Sequence, residues 1–342
     1  MRAAVLYGEN DLHYEEVEMP RAGQGELVVQ VKACGVCTTD VKILAGEGTP
    51  RSLPVILGHE VAGLLYEVGN GVEGLAVGQR VAVYPRAFCG KCFYCRQGRH
   101  SLCLDQFGLA HGIDGGFAEY VRIPERLVNL GGVIPIEDSL DYDLAAMAEP
   151  LSCCLSAFRS AGVSRDDWVS IIGAGPMGLL HLLVAKSLGI HTIVTDVIPE
   201  RLEKARELGA EHVIDGSKDD PVQAVHSITK IGADLVIAAL GATEAIEQNL
   251  PMVRNGGVFN IFGGPPRGSS LTIDPRWLHY GEIILTGTHG SSLSDFQQAL
   301  KLITTGEVDV RPVISHRVGL GDLLGIVQKI RKHELLKAIV LI

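Results

Sequence analysis

Residues 168–178 read Trp-Val-Ser-Ile-Ile-Gly-Ala-Gly-Pro-Met-Gly, an apolar run that leads straight into G-x-G-x-x-G. Val169–Ile172 has the length of a buried strand, and Pro176–Leu188 continues with helical spacing. Strand, glycine turn and helix in that order can cradle a pyrophosphate. Gly173 permits the tight turn, and Gly175 lets the backbone approach the phosphates. Gly178 lets the helix pack close to the strand, while Pro176 and Met177 begin the helix whose N-terminus faces the phosphates. Alone, a glycine motif is weak. Here the next strand, Thr192–Thr195, runs into Asp196 roughly 20 residues on. A carboxylate at that place accepts hydrogen bonds from the adenosine ribose and repels a 2′-phosphate, so NAD is expected over NADP. Arg201 is the nearby cation that could temper this preference. Read instead as a helix N-cap, Asp196 is less well placed, because Pro199 already starts the helix.

Outward from this motif, strands and helices alternate. Pro199–Leu208 is an amphipathic helix, and Val213–Ile214, Leu235–Ala239 and Val258–Phe262 are strands. Such alternation predicts a doubly wound parallel sheet with right-handed crossovers, hence an α/β chain. Past residue 288 a helix (Leu293–Thr304) and a final strand (Lys337–Ile342) remain. The first 150 residues are β-rich instead. Period-two alternation marks Glu26–Lys32 and Gln79–Val83, and glycine and proline punctuate the rest.

A length of 342 residues predicts about two domains, and 46% hydrophobic content can build their cores. A net charge of −10 and the lack of a basic run argue against nucleic acid as a partner. Neither a signal peptide nor a membrane-length apolar run is visible, which predicts a soluble cytoplasmic protein with no membrane partner.

Residues 89–103, CGKCFYCRQGRHSLC, place four cysteines at C-x2-C-x2-C-x7-C. Disulfides suit small secreted domains that lack a core, and a redox pair uses two cysteines rather than four. Four thiolates on one loop suit a closed tetrahedral zinc site formed by Cys89, Cys92, Cys95 and Cys103. A lobe serving a zinc-dependent partner contact is the other use for such a site. Cys34, Cys153 and Cys154 are not needed as ligands. His111 and Asp114 read as surface-loop residues.

Further candidate ligands stand apart from this lobe. Cys37 lies in CGVCTTD, His59-Glu60 in GHEVAG, and Glu149 in AAMAEP. With GGFAEY (residues 115–120), EPLSCCLSAF and GAGPMG, these motifs resemble the zinc-dependent medium-chain dehydrogenase/reductase family along essentially the whole chain. Within that family the Glu-Pro stretch is most similar to the polyol, or sorbitol-type, dehydrogenases.

The resemblance implies a GroES-like catalytic domain at 1–148 carrying the zinc lobe (about 86–106), a Rossmann NAD-binding domain at 149–287, and a return to the catalytic domain at 288–342. It implies two zincs per chain. The catalytic one would be held by Cys37, His59 and Glu60 or water, with Glu149 as an exchangeable ligand. Thr39 would open a proton relay. Asp40 would orient His59 or simply cap a turn. Ile261, Phe262, Gly263, Thr288 and His289 lie where the family touches nicotinamide. The implied reaction is NAD-dependent oxidation of a secondary hydroxyl of a small polyol to a ketone, in a homo-oligomer, tetramer or dimer. An L-threonine 3-dehydrogenase or a simple secondary-alcohol dehydrogenase would use the same machinery. A non-catalytic, crystallin-like NAD-binding role would be signalled by missing zinc ligands, and none is missing.

Overall fold

The computed structural model describes residues 1–48 and 50–342. They form two compact units, one of Met1–Ser152, Ser291–Gly306 and Val310–Ile342, the other of Cys153–Gly290 and Glu307–Asp309. The chain passes from one to the other inside helix Ala148–Ala161, so Glu149 belongs to the first unit and Thr288 and His289 to the second.

The second unit is built on a six-stranded parallel sheet. Across it lie His212–Asp215, His191–Asp196, Trp168–Ile172, Ala233–Ala238, Val253–Ile261 and Ile284–Gly287. In chain order that is third, second, first, fourth, fifth, sixth. The order reverses beside Trp168–Ile172, and a crevice at the carboxyl ends of the strands belongs at such a reversal. These strands are apolar because helices cover the sheet. Ile172, Ile193, Val236 and Phe259 share a buried cluster with Val225 and Ile246 from two of those helices. Four helices, starting at Pro176, Pro199, Pro221 and Pro275, open on proline, whose fixed φ and missing N–H suit a first turn. The expected strand Val258–Phe262 starts earlier, at Val253, and ends at Ile261, which leaves Phe262 beyond the sheet.

The first unit carries a mixed seven-stranded sheet. Its path runs Val133–Pro135, Arg80–Val83, Glu60–Val68, Leu27–Gly35, Lys337–Leu341 and Ile314–Gly319, with Tyr120–Ile123 also paired to Leu27–Gly35. The alternation in Leu27–Gly35 puts Val29, Val31 and Ala33 wholly out of solvent. Lys337–Leu341 pairs antiparallel with Leu27–Gly35 at Ile339↔Gly35, while Glu60 faces Gly35 from the other side. A small separate sheet joins Arg86–Ala87, Phe107–Leu109 and Gly112–Ile113. Among the described residues no helix is long and apolar enough to cross a membrane.

Candidate active site

Cys37 is the N-cap of helix Thr38–Leu44, in extended conformation (φ −100°, ψ 152°). The Thr39 amide donates to Cys37 Sγ at 3.4 Å, and the Cys37 amide donates to Asp40 Oδ2 at 2.9 Å. Asp40 is fully buried. Its other oxygen, Oδ1, accepts from the Gly58 amide at 3.2 Å and lies 3.5 Å from His59 Nδ1. One carboxylate therefore caps the helix with one oxygen and faces the imidazole with the other. This leaves His59 Nε2 as the nitrogen for a ligand. Gly58 has φ +92°, and a Cβ there would sit 2.7 Å from Cys34 Sγ, so the turn that presents His59 needs glycine.

Glu60 opens strand Glu60–Val68 and is fully buried. Its Oε1 accepts from Lys337 Nζ at 2.6 Å, and Nζ also donates to the Val36 carbonyl at 2.9 Å. Among the described residues Oε2 has no hydrogen-bond partner. A Cβ on residue 35 would come within 1.7 Å of that oxygen, so Gly35 makes the room it occupies. Burial pushes the Glu60 pKa up, the Lys337 charge opposes this, and the Glu149 charge adds to the rise. At His59 burial disfavours a proton, but Asp40 and Cys37 outweigh it and hold the pKa well above the ordinary value.

Single donor atoms of Cys37, His59 and Glu60 all lie within 4.8 Å of one another. A sulfur, an imidazole nitrogen and a carboxylate oxygen at that spacing are a donor set suited to zinc. Glu149, in the first turn of Ala148–Ala161, is buried and near enough for its charge to act on Glu60, but it lies outside this set. Thr39 is exposed at the head of its helix.

Cys89, Cys92, Cys95 and Cys103 also gather within 4.8 Å. Cys89 and Cys95 sulfurs are 3.9 Å apart, and Cys92 and Cys95 sulfurs 3.5 Å. A disulfide needs about 2.05 Å, whereas zinc–sulfur bonds of about 2.3 Å imply tetrahedral edges of about 3.8 Å. Backbone amides reinforce the cluster: Cys89 N donates to Cys103 Sγ at 3.2 Å and Cys92 N to Cys89 Sγ at 3.3 Å. The Leu104 amide is the main cause that pulls the Cys92 pKa down to about 6. Four such donors fill a tetrahedron and leave no position for substrate.

In the second unit each motif glycine has a geometric reason. Gly173 has φ +96°. A Cβ on Gly178 would fall 1.8 Å from the Gly173 carbonyl oxygen, whereas one on Gly175 would meet only Arg201 Nη1, at 3.9 Å. Gly178 therefore seals helix to strand while Gly175 leaves an open cradle, and the loop fits a dinucleotide pyrophosphate. Asp196 is already engaged: Oδ2 accepts from Ala174 N at 2.6 Å, and Oδ1 from Val197 N at 2.7 Å and Ile198 N at 2.9 Å. It ties the glycine loop to the neighbouring strand.

Thr288 donates its amide to the Ile261 carbonyl at 3.3 Å and its hydroxyl to Asn260 Oδ1 at 3.1 Å. A Cβ on Gly263 would lie 2.3 Å from the Leu240 carbonyl carbon, so the chain turns there against backbone. Ile261, Phe262, Gly263, Thr288 and His289 thus cluster at the ends of the two adjacent strands Val253–Ile261 and Ile284–Gly287. Sequence reasoning missed Lys337 and Gly35. The one available signal was a lysine opening the otherwise apolar stretch KAIVLI.

The family described as the alcohol dehydrogenase GroES-like domain matches residues 23–134, and that described as zinc-binding dehydrogenase matches residues 176–305. An L-threonine 3-dehydrogenase of Rhizobium johnstonii is 33% identical over 92% of this chain and 90% of its own length. A sorbitol dehydrogenase of Bacillus subtilis is 31% identical over 99% of this chain and 97% of its own. A zinc-binding dehydrogenase of Sinorhizobium meliloti 1021, solved with NADP, superimposes with a TM-score of 0.93 at 31% identity, covering 100% of this chain and 99% of that one. Both domain types and their order are present here, and the chain belongs to the zinc-dependent medium-chain dehydrogenase/reductase family.

Proposed function

We propose that this chain oxidises a secondary hydroxyl of a polyol to a ketone with NAD, yielding NADH and a proton. The observation that carries the reading is the close donor set of Cys37, His59 and Glu60, with Glu60 Oε2 unpartnered in a fully buried position. Bound there, zinc would supply Lewis acidity toward the hydroxyl, and NAD would supply the hydride acceptor. Cys37, His59 and Glu60 would hold the metal, with Glu149 as an exchangeable fourth ligand. The four-cysteine lobe would hold the second zinc.

The chain's own groups have distinct tasks. Asp40 fixes the His59 ring and the Cys37 cap together, so both ligands keep one geometry. Lys337 engages Glu60 Oε1, and Oε2 is left without a hydrogen bond for the metal to take up. Thr39, exposed beside Cys37, would pass the hydroxyl proton to solvent. Gly173, Gly175 and Gly178 would seat the pyrophosphate, with Pro176 and Met177 at the helix end. The carboxylate of Asp196 supports NAD over NADP, although Arg201 stands beside the open face of Gly175. A glutamate at 149 gives the metal oxygen donors, which suits a polyol oxygen and bound water.

Threonine oxidation is the second reading, supported by the 33% identity to an L-threonine 3-dehydrogenase. A panel of sorbitol, xylitol, galactitol, erythritol, threonine and 2-butanol, followed by NADH absorbance, separates the two. Turnover of a polyol with kcat/KM at least tenfold above threonine is expected. Turnover of threonine alone would replace the polyol reading with the threonine one.

A further inference from the structure

Two arginines and a histidine stand next to the candidate metal site, and among the described residues the arginines have no acidic partner. In the small sheet, Arg86 is in register with Gly108, and Gly108 with Gly112, so one row across three strands carries a single side chain. Arg51 lies along the glycine end of this row: a Cβ on Gly112 would be 3.4 Å from Arg51 Cδ and 3.7 Å from its Nη1. His111 precedes Gly112 and exchanges backbone hydrogen bonds with Gly108, at 2.8 and 2.9 Å. Two guanidiniums and an imidazole thus converge on one strip.

Their partners are neutral. Arg86 donates to Gln106 Oε1 at 2.5 Å, and among the described residues neither Arg86 nor Arg51 has an ion pair. The acids of the region are taken. Asp114 accepts from the Ile56 amide at 3.0 Å, Asp105 pairs with Arg126 at 3.1 Å, and Asp40 faces His59. In a chain of net charge −10, an arginine pair left without a carboxylate is locally out of character.

The strip is tied to the candidate metal ligands by backbone. Gly115 N donates to the Ile56 carbonyl and Gly116 N to the Gly58 carbonyl, both at 2.7 Å, so the segment after His111 runs beside the loop that presents His59. The same closeness shows in the field at His111. Its pKa is lowered first by burial, then by the charges of Arg51, Arg86 and His59. Guanidiniums are weakly hydrated and match the planar fork of an oxyanion, which makes them the groups of choice for phosphate and carboxylate.

We propose that the alcohol oxidised here also carries an oxyanion, a phosphate ester or a carboxylate, seated by Arg51, Arg86 and His111 while its hydroxyl reaches the Cys37–His59–Glu60 site. This rests on the dehydrogenase reading and names the substrate class within it. It also gives His111 a part beyond the surface loop to which the sequence assigns it.

The test uses the zinc-loaded enzyme and two matched pairs: sorbitol against sorbitol 6-phosphate, and 2,3-butanediol against 3-hydroxybutyrate. In one pair the charged member should exceed its neutral partner in kcat/KM by on the order of 10- to 100-fold, the range expected of charge-assisted hydrogen bonds. The pair that shows it tells phosphate from carboxylate. In Arg51→Gln/Arg86→Gln that ratio should fall to about 1, and inorganic phosphate should compete with the charged substrate in the wild type but not in the variant. Arg51→Gln alone, at an exposed position, serves if the double variant does not fold. The proposal is overturned if the neutral member equals or beats the charged one in both pairs, or if the preference survives in the variants. If no alcohol of either kind reduces NAD, the dehydrogenase reading fails and this inference fails with it, a result distinct from turnover without charge preference.

Discussion

At the scale of single residues, the buried pair Lys337–Glu60 is the strongest commitment in the first unit. Their side chains are 5% and 0% exposed, so neither charge can turn to water if the other is lost. Lys337→Met should cost about 3–5 kcal/mol, the range for leaving a buried charge without its partner, whereas Lys337→Arg should cost far less. Denaturant midpoints would read this, and zinc content would show whether the Cys37–His59–Glu60 set takes up metal without the lysine. A Lys337→Met protein of unchanged stability and metal content would refute the positioning role. Cys37→Ser should lose one of two zincs and its activity while remaining folded, as checked by metal analysis and circular dichroism. Retained activity would remove Cys37 from the site. The residues that sequence reading singled out in the metal set are local in a useful sense: Cys37, His59 and Glu60 each stand in a short motif with its own turn chemistry. Lys337 has no such motif, and its partner is 277 residues away. Only the register of a strand that returns from the far end of the chain puts it there. Gly35 was hidden for a similar reason, since its need for glycine arises from a side chain on the neighbouring strand.

At the scale of elements, helix Pro176–Leu188 couples the glycine loop to the sheet. Gly178→Ala would drive a Cβ into the Gly173 carbonyl, so helix and strand must part. A loss of about 1–3 kcal/mol is expected from such overpacking, together with weaker NAD binding by fluorescence titration. Unaltered NAD affinity would remove the close-packing role. The same helix holds His181, fully buried between Phe158 and Phe262, and among the described residues neither ring nitrogen has a hydrogen-bond partner. Burial pulls its pKa down to about 3. In the unfolded chain a histidine takes its proton near pH 6.5, whereas the folded one resists until about pH 3. The unfolded state therefore binds more protons between those values, and stability falls as pH drops through that window, at up to about 1.4 kcal/mol per pH unit. His181→Leu should flatten this acid limb in urea titrations at pH 4 and 7, and an unchanged slope would refute it. This helix and Leu293–Thr304 have the bounds their sequence periodicity predicts, because proline or a capping box starts each one. Strand ends were less legible. Val253–Ile261 extends back through Asn255 and Gly256, residues that discourage a strand: Val253 pairs with Ala233 and Val258 with Leu235, and the residues between them bulge out of register, with Gly256 at φ +70°.

At the scale of the whole molecule, the chain has two tryptophans, Trp168 and Trp277, and both lie in the unit that carries the dinucleotide loop. Tryptophan emission therefore reports on that unit alone. NAD at 100 times its Kd should raise the free energy of unfolding followed by this emission by about 2.7 kcal/mol. Asp196→Ala should shrink the increment, because the mutation removes the carboxylate proposed to receive the ribose and also loosens the Ala174 amide that it holds. An equal increment in wild type and variant would rule out Asp196 as a cofactor-binding residue. Two-part organisation could be anticipated from length and from the change of texture near residue 150. The division inside a helix could not, since periodicity marks where a helix runs and not which core each turn joins.

The distance along the chain between Glu60 and Lys337 also sets an order of events in time. At translation rates of about 5–20 residues per second, the intervening 277 residues take on the order of 15 to 55 seconds to make. Throughout that interval Cys37, His59 and Glu60 exist on the ribosome and the lysine does not. A metal ion arriving early meets a carboxylate with both oxygens free, and one arriving late meets a carboxylate already held by one oxygen. Loading during synthesis and loading after release are therefore different reactions at the same three candidate ligands.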